Sequence, residues 1–257
     1  MFPLAKGRVI PMAHPLVICL AGAGSKSGRP LDVLSGPLTY LTVAGGYTRD
    51  DFVEGSYRVN DDGAPLPYSQ VHSTASLVEV TSNVARCLQW YRRQHRRPLR
   101  LLGWSLGGVA LFDALAGLFD FDNSWAQAAP ALVTLASPLL GSDLDGVEAL
   151  GAVAVGNVGA DLTRRAADEG EKRRVRQDAA RLRAAGIRLV TLAAEEDAVV
   201  TPEDALLPAT GPDPAAFILR PLRRPNAPYL ESVLGHGALP YDPTCWRHVL
   251  AGLGPAE

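Results

Sequence analysis

Lysine is almost missing from this chain, standing only at positions 6, 26 and 172, so arginine supplies nearly all the positive charge. With a formal net charge of −2 over 257 residues, no global positive field marks nucleic acid as a partner. Cysteine is scarce too. Cys19, Cys87 and Cys245 lie far apart without metal-ligand spacing, and read as free thiols rather than as metal ligands or a disulfide framework. No unbroken apolar run reaches about 18 residues, which leaves no candidate membrane span. There is no internal repeat and no low-complexity linker, so residues 1–257 read as one domain. Near the start, Lys6 and Arg8 precede "PLVICLAGA", an imitation of a secretion signal. Pro11, His14 and Pro15 interrupt its apolar part, and cleavage after Ala23 would remove a core strand. Bulky Ile18 before Cys19 argues against a lipoprotein site. A cytoplasmic protein is the expectation.

What is present is an ordinary hydrophobic content of 47%, laid out as short apolar runs alternating with longer helical patterns. That alternation is the mark of βαβ units and a mainly parallel sheet. It predicts about six strands, near 16–20, 51–59, 99–104, 131–136, 188–193 and 217–222, with helices on both faces. Helices are expected over Gly36–Ala44, from a Ser73 or Thr74 cap to His95, after Ser105, and over Thr163–Ala185. The basic runs at 92–97 and 171–183 read as a solvated helix end and a charged outer helix face. Residues 142–162 are small, apolar and weakly patterned, which suits a lid or cover over a site.

One junction carries chemistry. "LRLLGWSLGGVALFDALAG" at 99–117 runs from a buried strand through Gly-Trp-Ser-Leu-Gly into a helix with apolar positions Leu106, Val109, Ala110, Phe112 and Leu115. G-x-S-x-G between strand and helix is the context of a nucleophile elbow: the turn exposes the serine while Gly103 and Gly107 admit neighbouring backbone. A serine hydroxyl attacks only when a base accepts its proton, and the base needs an acid to fix its tautomer. In elbow proteins these follow in the order serine, acid, histidine. The strand near 188–193 ends in "AAEEDAVVTPEDA". There Asp197 is the candidate acid because the apolar Ala198–Val200 anchors its backbone. Glu195 and Glu196 are rivals, while Glu203 and Asp204 read as solvated loop acids. Of five histidines, His14, His72 and His95 precede the acid and His248 sits on the last helix. His236, between Gly235 and Gly237 in a loop, is the candidate base.

The developing oxyanion needs two donors, typically worth about 3 kcal/mol each. The backbone N–H of Leu106 follows from the elbow, and the glycine-rich loop in "VICLAGAGSKSG" offers the N–H of Ala23, with Gly22 or Gly24 as alternatives. That loop is not a nucleotide motif: Ser25 stands where a P-loop has glycine before Lys26, and Ser27 breaks G-x-G-x-x-G. Trp104 has no assigned role and reads as packing beside the serine.

On these residues the chain resembles the α/β-hydrolase superfamily, within it the compact bacterial lipases and esterases. The resemblance spans about Leu16 to Leu250 and rests on "VICLAGAG", "LLGWSLGGVAL", "VTLASPLLGSDL", "EEDAVVTP" and "GHGALPYDP". It departs in having Ala21-Gly22 where lipases commonly carry His-Gly, in a short stretch before the first strand that implies a minimal sheet, and in a gap of roughly a dozen residues before His236. It implies a serine hydrolase acting on small-molecule or lipid esters through an acyl-enzyme, with no metal and no organic cofactor. Acyl transfer or thioester hydrolysis would use the same three residues, and a non-catalytic binding module is the reading from another class.

Overall fold

The computed structural model describes residues 14–23, 30–142, 156–208, 216–220 and 236–256, without the side chain of Gln70. Six strands, β1 (Leu16–Leu20), β2 (Phe52–Glu54), β3 (Leu99–Trp104), β4 (Ala131–Leu135), β5 (Arg188–Ala194) and β6 (Ala216–Leu219), make one sheet in the order β2-β1-β3-β4-β5-β6. Every pairing is parallel, with Ile18 beside Leu101, Leu101 beside Leu132 and Leu132 beside Leu189. Strands covered on both faces need apolar residues at successive positions, and β1 and β4 are buried throughout.

Alternation divides those residues between two cores. Leu16, Ile18, Leu20, Leu99, Leu101, Leu132 and Leu189 face one layer, made by helices α2 (Leu77–Gln94), α3 (Leu106–Phe121), α4 (Gly156–Ala167) and α5 (Glu169–Ala184). Val17, Cys19, Leu102, Val133, Val190 and Leu192 face the other, made by α1 (Ser35–Gly45) and α6 (Pro243–Leu253). Helix α3 is buried on nearly all sides, which accounts for the unbroken apolar character of its sequence.

The strand expected near 217–222 ends at Leu219, with 221–222 outside the described residues, and three other boundaries differ from those expected. The strand expected over 51–59 pairs only at Phe52–Glu54. Beyond it the chain leaves the sheet in a small excursion, where Leu66 N–H donates to the Arg58 carbonyl and Val59 bridges Pro65. Tyr57 and Val59 alternate like strand residues, yet they are buried against the α2–α3 layer. Helix α2 starts at Leu77, later than a Ser73 or Thr74 cap allows. Ser76 accepts from the Glu79 N–H, and Asp161 takes the Leu77 N–H at 2.7 Å. The helix expected over 163–185 is two helices, α4 and α5. Asp168 breaks it by capping α5, accepting from the N–H groups of Gly170 and Glu171. Of the expected lid, 143–155 lie outside the described residues, while 156–162 form the start of α4. Helix α4 is tied to α3 by a buried Arg165–Asp113 ion pair at 2.6 Å.

The three cysteines are buried and unpaired, as their spacing implies. No helix among the described residues is long and apolar enough to cross a membrane.

Candidate active site

In this sheet β1 lies between β2 and β3, so the chain direction across the sheet reverses there. Such a switch point opens a crevice at the carboxyl ends of the two strands, the usual ligand position in open α/β sheets. The ends of β1 and β3 carry the Ala21–Ala23 loop and Ser105.

Ser105 follows β3 directly, with φ 56° and ψ −129°, in a region of backbone space that non-glycine residues seldom occupy. The turn is held from both sides: Ser105 N–H donates to the Leu135 carbonyl at 2.8 Å, and the Ser105 carbonyl accepts from Gly108 N–H at 3.0 Å. The two glycines of the motif are required by contact. A Cβ at Gly107 would lie 2.2 Å from the Leu20 carbonyl oxygen, and one at Gly103 2.5 Å from Gly108. Helix α3 therefore starts hard against the end of β1.

The structure brings Ser105, His236 and Asp197 into one hydrogen-bonded line. His236 Nε2 is 2.9 Å from Ser105 Oγ, and His236 Nδ1 is 2.8 Å from Asp197 Oδ2. The Asp197 side chain is fully buried and that of His236 is 13% exposed, so the pair is largely shielded from water. The other carboxylate oxygen, Asp197 Oδ1, accepts the N–H groups of Val199 at 2.8 Å and Val200 at 2.9 Å. These bonds orient the carboxylate and leave Oδ2 for the imidazole. The acid loop is itself braced by Ser142, whose hydroxyl donates to the Val199 carbonyl at 2.6 Å.

The rivals are elsewhere. Glu195 and Glu196 reach outward toward Arg220, at 3.6 Å each. Glu203 is exposed, but Asp204, expected as a solvated acid, is half-buried and accepts the Thr201 hydroxyl. Its carboxyl is raised by burial, against the lowering effect of that bond. His14 bonds Asp51, His72 meets Arg58, His95 stacks on Tyr91, and His248 packs on Phe217 at 4.1 Å.

Leu106 N–H opens α3 beside the serine, and neither it nor Ala23 N–H bonds another backbone group among the described residues. Of the alternatives for the second donor, Gly22 lies in the described loop and Gly24 outside the described residues. Among the described residues no group of three or more His, Cys, Asp or Glu is arranged to hold a metal ion.

Four contributors were not apparent from the sequence. Trp104, expected only to pack, donates its indole N–H to the His236 backbone carbonyl at 3.2 Å, with the two rings 5.4 Å apart. Tyr57 donates to the carbonyl of Ala21, and Tyr68 to that of Gly22. Ser142 is the fourth. The acceptors are backbone carbonyls, which carry no side-chain signature; only the Ser-Pro-x-x-Gly-Ser segment that ends at Ser142, part of the resemblance, hinted at order.

No family model and no curated protein matches the chain by sequence. Solved structures do match by shape. A Listeria innocua protein, the product of gene lin2722, superposes with a TM-score of 0.55 at 11% identity, covering 95% of each chain. Aspergillus fumigatus lipase B gives 0.54 at 13% identity over 95% of this chain and 54% of its own. Phospholipase PlaB from Legionella pneumophila, in complex with thio-NAD, gives 0.52 at 14% identity over 75% of this chain. This chain covers 44% of that phospholipase's length. At such identities the likeness speaks for the fold alone, an α/β-hydrolase fold with a lipase and a phospholipase among its structural neighbours.

Proposed function

We propose, from an α/β-hydrolase fold with a buried acid, a histidine and a serine aligned at its switch point, that the protein is a serine hydrolase of carboxylic esters. The observation that carries this reading is the continuous line from Asp197 Oδ2 through the His236 ring to Ser105 Oγ. A buried carboxylate accepting from Nδ1–H fixes the tautomer in which Nε2 has a free lone pair, and that lone pair faces the serine hydroxyl.

In the reaction, His236 takes the Ser105 proton as Oγ bonds to the ester carbonyl carbon. The carbonyl electrons move to oxygen, and the oxyanion is met by the N–H groups of Leu106 and Ala23, with the amino end of α3 adding favourable potential. Collapse breaks the carbon–alkoxide bond, and His236 returns the proton to the departing alcohol. Water then repeats the sequence on the acyl-enzyme, releasing the acid and restoring Ser105. The substrate is a small-molecule or lipid ester, and no step calls for a metal or organic cofactor.

The test is hydrolysis of nitrophenyl esters from short to long acyl chains, with Ser105→Ala alongside. Ser105→Ala is expected to lower kcat by about 10⁴ to 10⁶. A fall below about tenfold, in a variant with unchanged circular dichroism, would overturn the assignment.

A further inference from the structure

The loop that follows β1 is gripped from one side by two phenols. The excursion between β2 and α2 folds back on itself, and its pairing of Arg58 with Leu66 brings Tyr57 and Tyr68 together with ring centroids 6.1 Å apart, edge to face. Tyr57, buried, donates to the Ala21 carbonyl. Tyr68 donates to the Gly22 carbonyl at 3.2 Å and also lies 3.5 Å from the hydroxyl of buried Ser73. Two successive carbonyls of the loop are thus committed to one pair of side chains.

A trans peptide is planar, with its C=O and N–H pointing to opposite sides. No peptide bond in the described chain is cis, so fixing the Gly22 carbonyl on Tyr68 also fixes the Ala23 N–H, on the face away from the phenols. The serine lies close against this peptide: a Cβ at Gly22 would be 2.8 Å from Ser105 Cβ and 3.3 Å from the Trp104 ring. Glycine fits this approach, but it also lowers the cost of rotating the peptide, because its dihedral angles are the least restricted. A rotated peptide would present the Gly22 carbonyl oxygen to the crevice, an acceptor in place of a donor.

We propose that Tyr68, supported by Tyr57, is a positioning residue that turns the Ala23 N–H toward the oxyanion by holding the carbonyl of the same peptide. This rests on the ester-hydrolase reading above. Neither phenol acts on the reacting atoms; each acts through the loop backbone. The excursion between β2 and α2 thereby acquires a function, as the arm that sets one of two donors.

The experiment compares wild type, Tyr68→Phe and Tyr57→Phe with the full chain, each normalised to active sites titrated with a fluorophosphonate. An oxyanion donor is worth about 10² to 10³ in kcat, so partial misorientation in Tyr68→Phe is expected to cost about 10- to 100-fold in kcat with KM within about threefold. The inhibition constant of a trifluoromethyl ketone, which mimics the tetrahedral adduct, is expected to rise in step with the loss in kcat/KM. Tyr57→Phe is expected to show the same pattern more weakly, and it decides the matter if Tyr68→Phe does not fold. A merely structural role would lower the titratable fraction or Tm and leave kcat per site unchanged; that result overturns the proposal. So does a rise in KM at constant kcat, which would make Tyr68 a substrate contact. If wild type neither hydrolyses esters nor is labelled at Ser105, the hydrolase reading falls and this proposal with it. An active wild type with unaffected variants removes the proposal alone.

Discussion

Trp104 and His236 are joined twice: the indole N–H donates to the histidine backbone carbonyl at 3.2 Å, and the indole ring lies tilted over the imidazole with centroids 5.4 Å apart. The residue preceding the serine thus fastens the loop that carries His236. The same ring borders the Ala21–Ala23 loop at Gly22. Trp104→Phe keeps an aromatic surface but loses the donor. A net hydrogen bond contributes about 1 kcal/mol, so kcat/KM is expected to fall about fivefold, and further in Trp104→Ala, where the packing also goes. Steady-state kinetics of both variants check this; Trp104→Ala with wild-type kinetics would contradict it.

Asp197→Asn should preserve the fold and remove the chemistry. Because Oδ1 receives two backbone N–H groups, the amide oxygen is expected to stay there and the NH₂ to take the place of Oδ2. The histidine must then accept at Nδ1, which puts its proton on Nε2 facing Ser105, where it cannot take another. A loss of about 10⁴ in kcat, as for the comparable change in a serine protease, is expected with near-native Tm. Kinetics together with a thermal melt separate this from unfolding.

Asp51 belongs to stability alone. It lies at the amino ends of the strands, opposite the site, and bonds Thr48, His14 and Arg97. Burial raises its carboxyl, yet these bonds outweigh burial and hold it below the ordinary carboxylate value. A carboxyl lowered in the folded state stabilises fully above its unfolded pKa, and that contribution is lost as pH falls through the folded value. Asp51→Asn is therefore expected to lower unfolding free energy at neutral pH by about 1–3 kcal/mol, with kcat unchanged. The difference should narrow below about pH 4. Urea titrations across that range read it directly.

The thiols should be inert until the chain unfolds. Cys19, Cys87 and Cys245 are buried, and desolvation pushes all three up, Cys87 to about 12. A disulfide reagent is expected to label none in the native protein and all three in guanidinium. Rapid native labelling would show a layer of the core to be open.

The sheet was legible because burial on both faces leaves unmistakable apolar runs, and α3 because an apolar helix follows a G-x-S-x-G turn. The convergence of Ser105, Asp197 and His236 was legible because the proposed chemistry would demand three residue types in a fixed chain order. Tyr57 was hidden by a strand-like alternation with Val59 that in fact serves helix packing. The break at Asp168 was written in the sequence as Asp-Glu-Gly-Glu, a cap followed three residues later by glutamate, but the continuous charge of 169–183 masked it. Tyr68 and Trp104 act on carbonyls brought near by tertiary folding, across 46 and 132 positions, which no local pattern encodes.

The line joining Ser105 to His236 spans 131 positions of chain. At translation rates of about 5–20 residues per second, Ser105 is made roughly 7 to 26 s before His236. During that interval a nascent chain possesses Ser105, β1 and β3 but not the His236 imidazole that lies 2.9 Å from the serine hydroxyl. On the proposed reading, reactivity would arrive only once His236 is made, so the emergence of activity on the ribosome would mark the docking of the segment that carries it.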